Sequence, residues 1–168
     1  ALGQVLAEEL VAEFDIPSLA NSAMDGYAVR AADLAGASRE SPVTLRVVGK
    51  MAAGELPSDA VVPGAAVRIM TGAPIPDGAD SVVPFEDTDE LERRDSGGDP
   101  SQVGIQLEAI SGDNVRPAGE DVRAGTVVLK DGTELRPGEV GVAASLGRAA
   151  VSVFRRPVVS IVGTGDEL

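Results

Sequence analysis

Leu2, Val5, Leu6 and Leu10 recur at helical spacing, with Glu8, Glu9 and Glu13 largely off that face, so the pattern predicts an amphipathic helix over residues 1–13. Ile16-Pro17 ends it, because the residue before a proline is pushed out of the α region. From there to about residue 125 the pattern changes to short extended runs separated by Gly, Pro, Asp and Ser. Residues 43–49, 65–70, 80–85 and 103–110 are rich in β-branched and aliphatic side chains and are bounded by turn formers, which predicts strands. A short helical turn is expected at residues 31–35. Pro57, Pro63, Pro74, Pro76 and Pro84 fall between these runs or at their ends, which favours short, irregular or edge strands. Residues 91–101 form the most polar stretch and predict a mobile hairpin tip.

Beyond residue 125, Val127-Val128-Leu129 and Thr133-Glu134-Leu135 flank Asp131-Gly132, the strongest hairpin signal in the chain. Residues 136–147 predict a short helix, with Pro137 near its first position and Gly147 just past its end. Residues 149–154 read as a further strand. A first helix of 13 residues is marginal alone, so it is expected to pack with this hairpin, helix and strand as a second small unit. The last segment differs. Val158-Val159-Ser160-Ile161-Val162 is a run suited to a strand buried on both faces, and Gly163-Thr164-Gly165 marks a strand-to-helix turn. The expected architecture is mainly β with short helices: an irregular β domain over residues 15–125, inserted into a small elongated α/β domain made of residues 1–14 and 126–156. Residues 157–168 are expected to be the first strand and turn of a further α/β domain.

Composition narrows the chemistry. Fourteen Lys and Arg against 27 Asp and Glu give a net charge of −13 over 168 residues, which repels phosphate backbones and argues against a nucleic-acid binder. One Tyr, three Phe and no Trp leave little for bases to stack on. The absence of Cys and His removes thiolate nucleophiles, sulfur-ligated metals, the commonest general base and the commonest zinc ligand, so any site must use oxygen ligands. No stretch approaches the roughly 20 apolar residues of a membrane span, and residues 1–4 lack the start of a signal peptide; a cytoplasmic, Mg²⁺-compatible protein is expected.

Four places combine acids or hydroxyls with glycines. Asp25-Gly26 puts a carboxylate on a turn beside the only tyrosine, Tyr27, although Asp-Gly is also simply a turn former and Tyr27 a core residue. Thr71 ends the run Arg68-Ile69-Met70 before Gly72, where a hydroxyl also commonly bonds its own backbone. Arg116, Glu120, Asp121 and Arg123 combine paired carboxylates, hard ligands for Mg²⁺, with guanidinium groups that suit a phosphate; acidic pairs are also often just solvated. Gly163-Thr164-Gly165-Asp166-Glu167 offers backbone N–H groups at a helix start, a weak phosphate signal by itself.

Taken in order, Ser22-Ala23-Met24-Asp25-Gly26-Tyr27-Ala28, Arg68-Ile69-Met70-Thr71-Gly72-Ala73, Gly119-Glu120-Asp121, Ala144-Ser145-Leu146-Gly147 and Thr164-Gly165-Asp166-Glu167-Leu168 closely resemble the molybdopterin molybdenumtransferases, the MoeA and gephyrin E-domain family. The resemblance spans essentially the whole chain and corresponds to the N-terminal portion of those proteins. It implies an enzyme that inserts molybdate into adenylylated molybdopterin with release of AMP, assisted by Mg²⁺, in molybdenum cofactor biosynthesis. It implies a homodimer whose cleft lies between the irregular β domain of one subunit and the molybdopterin-binding α/β domain of the other; residues 157–168 would begin that α/β domain. Further partners it implies are molybdopterin adenylyltransferase and apo-molybdoenzymes. On the family pattern the catalytic positions fall on Asp25, Thr71, Asp121 and Glu167, with Asp166 beside the last. Asp25 and Asp121 would hold or orient the Mg²⁺-phosphate portion, Thr71 would donate to an oxyanion, and Asp166 would contact substrate. Arg68, Arg116 and Arg123 are the candidates for drawing in an anionic substrate against the net charge. Gly163 stands where the family carries Ser, which removes a hydroxyl there. With most of the α/β domain and the C-terminal domain missing, no turnover is expected from this length of chain alone. The alternative reading is a scaffold or protein-binding module on the same fold.

Overall fold

A computed structural model describes residues 1–56, 60–163 and 165; expectations for Pro57, Thr164, Asp166, Glu167 and Leu168 lie outside the described residues. In chain order the elements are β1 (Leu10–Val11), β2 (Asn21–Ser22), β3 (Gly26–Val29), β4 (Val43–Met51), β5 (Ala65–Ile69), β6 (Ser81–Pro84), α1 (Glu90–Ser96), β7 (Gln102–Ile105), β8 (Val115–Arg116), β9 (Val127–Leu129) and α2 (Pro137–Ser145). Short 3₁₀ turns lie at Ala31–Leu34 and Phe85–Asp87. The fold is mainly β with two short helices, and neither helix is long and apolar enough to cross a membrane. The chain divides into two compact units, residues 15–121 and residues 1–14 with 122–168.

Residues 15–121 are built on a five-stranded sheet in the order β6-β3-β5-β4-β7. β3 runs antiparallel to both β5 and β6, β4 is parallel to β5, and β7 closes the far side antiparallel to β4. Successive strand residues face opposite sides, and here both sides are covered. Tyr27 and Val29 join Leu34, Leu45, Ala66, Val83, Val103 and Ile105 on one face. Ala28 joins Met51, Val61, Val67, Ile69, Ala73 and Val82 on the other. That is why β3, β5 and β6 are nearly continuous apolar runs with little alternation. Gly26 opens β3 between two neighbours, and a Cβ there would lie 2.0 Å from the Val83 carbonyl oxygen.

Both sheet edges are closed. Along β7, the Asp89 N–H donates to Gly104 O (2.9 Å), and the Gly104 N–H donates to Asp89 Oδ1 (2.6 Å). Along β6, Val82 N–H donates to Asp113 O (2.9 Å) and Asn114 Nδ2 donates to Val82 O (2.8 Å). These bonds cap both edges of the five-stranded sheet among the described residues.

Residues 91–101 are not a hairpin tip. They carry α1, with Glu90 and Glu92 in its first turn, Arg93 and Arg94 in its last, and Gly97 at φ 70° receiving the end. These charges match the helix dipole, and Arg93 also pairs with Asp89 at 2.6 Å one turn back.

In the other unit, residues 1–13 are extended and not helical. β1 pairs antiparallel with β9 (Leu10 opposite Leu129), and single bridges join Val5 to Glu134 and Leu6 to Val153. The Asp131-Gly132 turn forms, but its two arms pair with the N-terminal segment instead of with each other: Leu6 N–H donates to Thr133 O and Leu135 N–H to Gln4 O, both at 2.8 Å. Leu6, Leu10 and Ala12 are thereby buried. The helix expected near residue 137 is present as α2, with Pro137 in its first turn, the Arg136 N–H donating to Glu139, and Gly147 beyond its end at φ 74°. Residues 149–154 contribute only the Val153 bridge to a ladder. Residues 158–162 pair with no described strand, and Ile161 is 95% exposed.

Candidate functional site

Ser22 stands at the centre of the site. On one edge its carbonyl accepts from Gly72 N–H (2.8 Å) and its own N–H donates to Ala73 O (2.9 Å). On the other edge β2 pairs with β8, placing Asn21 opposite Arg116 and Ser22 opposite Val115, and Ala23 N–H donates to Asn114 O (2.9 Å). The sequence stretches around residues 22–28, 68–73 and 114–121 are therefore neighbours in space. The Ser22 hydroxyl then folds back onto the Met24 backbone and shapes the turn that carries Asp25.

Asp25 and Thr71 meet directly. The Thr71 backbone N–H and the Thr71 hydroxyl both donate to Asp25 Oδ1, each at 2.7 Å. These two bonds hold the Asp25 carboxyl below the ordinary carboxylate range, with help from the Arg68 charge and against a smaller opposing effect of burial. A carboxylate only accepts, so the single Thr71 hydroxyl proton goes to Asp25 and is not available to an oxyanion. Gly72, at φ 80°, makes the turn that brings Thr71 back toward Asp25.

Arg68 lies beneath this pair. One of its terminal nitrogens donates to Gly26 O and Ile69 O, both at 3.1 Å, and its Nε pairs with Glu90 at 3.0 Å. Its guanidinium sits 5.3 Å from the Tyr27 ring centre and 5.7 Å from that of Phe85. Burial and the neighbouring Glu90 carboxylate push the Tyr27 hydroxyl up to about 12.

Arg116 forms a second cluster, bonding Glu120 at 2.6 Å and Asp121 at 3.3 Å. Both acids hold its guanidinium in the charged form. Backbone bonds from Gly119 N–H to Pro17 O (2.9 Å) and from Asp121 N–H to Ile16 O (3.0 Å) fix this loop. Arg123 belongs to the other unit and is exposed. Asp166 and Glu167 lie outside the described residues. Beside Thr71 a groove of about 220 Å³ is lined by Pro17, Leu19, Asn21, Leu56, Gly72 and Pro74.

Sequence reasoning missed two supports. Asn114 is the only non-glycine described residue at positive φ (54°), and it links the β6 edge to the Asp25 turn through its side chain and its carbonyl. Asn tolerates the left-handed region better than most residues, which is the signal that was available. Glu90, the counter-ion of Arg68, lies immediately before the segment expected to be a hairpin tip and carried no local signal.

The fit to Mg²⁺ is partial. Among the described residues no group of three or more acids is placed to hold a metal. Asp25 Oδ2 accepts from no described residue, whereas both Asp121 oxygens lie within 3.4 Å of Arg116. One carboxylate oxygen suits an ion whose other ligands are water and substrate phosphate.

The described residues form a mainly β fold that carries an acid–hydroxyl pair and an arginine–acid loop. A family model described as "MoeA N-terminal region (domain I and II)" matches residues 1–147, and the chain belongs to this family. The molybdopterin molybdenumtransferase of Bacillus subtilis (strain 168) is 42% identical over 168 residues, covering 100% of this chain and 38% of that protein. Molybdopterin molybdenumtransferase 2 of Mycobacterium tuberculosis (strain H37Rv) is 44% identical over the same length, covering 40% of that protein. Among solved structures, the molybdopterin biosynthesis moeA protein from Pyrococcus horikoshii OT3 superposes with a TM-score of 0.81 at 37% identity, covering 91% of this chain and 38% of that one. The chain thus spans 38–40% of the length of these relatives.

Proposed function

We propose that this chain is the N-terminal portion of a molybdopterin molybdenumtransferase, which inserts molybdate into adenylylated molybdopterin and releases AMP. The observation that carries the reading is the Asp25–Thr71 pair, in which two donors orient one carboxylate and keep it ionised. An ionised carboxylate in a chain of net charge −13 repels a phosphate, so the pair makes chemical sense with a cation between them. Mg²⁺ would supply that cation and offset charge developing on a phosphate oxygen. Asp25 would hold it through Oδ2, and Asp121 would contribute once Arg116 turns to the substrate anion. Thr71 orients Asp25. The division into two compact units supports a two-domain plan for residues 1–156, with the second boundary at 121/122, four residues before the 125/126 expected.

The test is molybdate-dependent AMP release by the full-length parent at fixed Mg²⁺, comparing the native protein with Asp121→Asn. Release that requires molybdate and falls in the variant supports the transferase. A folded parent that releases no AMP contradicts it and leaves the scaffold reading.

A further inference from the structure

Arg68 occupies an unusual position for a substrate-binding arginine. It sits on β5 opposite Tyr27, and its side chain is 18% exposed. Gly26 and Ile69 form the last rung of the β3–β5 ladder, and Arg68 donates to the carbonyl of each at 3.1 Å. Immediately beyond that rung the two chains part: one leads to Asp25, the other through Met70 to Thr71. The Arg68 Nε pairs with Glu90, and the guanidinium lies 5.3 Å from the Tyr27 ring centre and 5.7 Å from that of Phe85. Nε and one terminal nitrogen are thus engaged with the protein itself, on a carboxylate and on the two carbonyls of the last rung. A planar fork serves these partners together in a way that a point-charge ammonium does not.

We infer that Arg68 is a positioning residue that fixes the Asp25–Thr71 pair by bridging the last rung of the β3–β5 ladder. The inference rests on the proposed function for its catalytic consequence and on the geometry alone for its structural one. Glu90 and the two rings hold the guanidinium so that its terminal nitrogen stays on both carbonyls. Without it, the Gly26 and Ile69 ends are free to separate, and the two bonds on Asp25 Oδ1 lengthen together.

The experiment uses Arg68→Lys and Arg68→Met in the full-length parent, with two readouts: steady-state AMP release and the titration of the Asp25 side-chain carboxyl by ¹³C NMR. A positioning role predicts that kcat falls about tenfold for Lys and further for Met while KM for the adenylylated substrate stays within about twofold. It also predicts that Asp25 titrates at higher pH in both variants. A KM raised about tenfold at unchanged kcat, with Asp25 titrating as in the native protein, would overturn the inference and make Arg68 a substrate contact. Native kinetics and native titration in both variants would overturn it as well. If the Met variant does not fold, the Lys variant decides. A native parent that releases no AMP contradicts the proposed function and not this inference, which the Asp25 titration still decides.

Discussion

Asp25 and Thr71 stand 46 residues apart in the chain, yet one oxygen of Asp25 receives both the backbone and the hydroxyl proton of Thr71 at 2.7 Å. The contact depends on β3 and β5 being antiparallel neighbours, so that the residue before one strand meets the second residue after the other. Replacing Thr71 with Val removes the hydroxyl bond and leaves the backbone bond. The Asp25 carboxyl should then titrate closer to its ordinary value, measured by ¹³C NMR, whereas Thr71→Ser should titrate as the native protein does.

The same lowering links to stability. A carboxyl depressed in the folded chain stabilises the fold above its unfolded value and loses that contribution as pH falls through the folded value. Denaturant unfolding of the native protein and Thr71→Val should therefore differ at neutral pH and converge in acid. An equal difference at every pH would contradict this linkage.

Tyr27 is the only tyrosine, so tyrosinate absorbance reports it without interference. Burial and Glu90 place its titration near 12, against an ordinary value of 10.0. Because the folded value is the higher one, the stabilisation is complete below the unfolded value and is lost as pH rises from there toward 12. Glu90→Gln should bring the titration down, since it removes the adjacent negative charge.

Gly26 has no room for a side chain. A Cβ there would lie 2.0 Å from Val83 O and 2.8 Å from Val83 C, both backbone atoms of a paired strand. Gly26→Ala should cost on the order of 3 kcal/mol in denaturant unfolding. Gly36→Ala tests the opposite case, because nothing lies within 4 Å of its Cβ and only its φ of 80° resists the change; its cost should be about 1 kcal/mol.

Four of the five strands of the central sheet were legible because β-branched runs bounded by turn formers have few other ways to fold, and β4, β5, β6 and β7 lie where those runs are; β3, whose residues 26–29 follow the Asp25-Gly26 turn signal, was not. The N-terminal segment was not. Leu6 and Leu10 are four apart, a spacing that satisfies one helical turn and also two steps of a strand, and burial of Ala12 continues the strand period. Choosing between them required a partner, and that partner, the 127–135 segment, is more than 100 residues away. The Asp131-Gly132 signal identified a real turn but not what its arms would pair with. At the site, Asp25, Thr71 and Asp121 were named from ordered motifs and Arg116 from its place beside paired acids, but the bonds among them were not. That Thr71 donates to Asp25, and that Arg68 is enclosed by Tyr27, Phe85 and Glu90, follows from strand register, which local sequence does not carry.

The most direct test of the central claim is a double-mutant cycle in the full-length parent, reading molybdate-dependent AMP release for Asp25→Asn, Thr71→Val and the two together. If Asp25 and Thr71 act as one unit, each single change lowers kcat and the double variant is about as slow as Asp25→Asn alone. Losses that multiply, or a native rate in either single variant, would contradict the account.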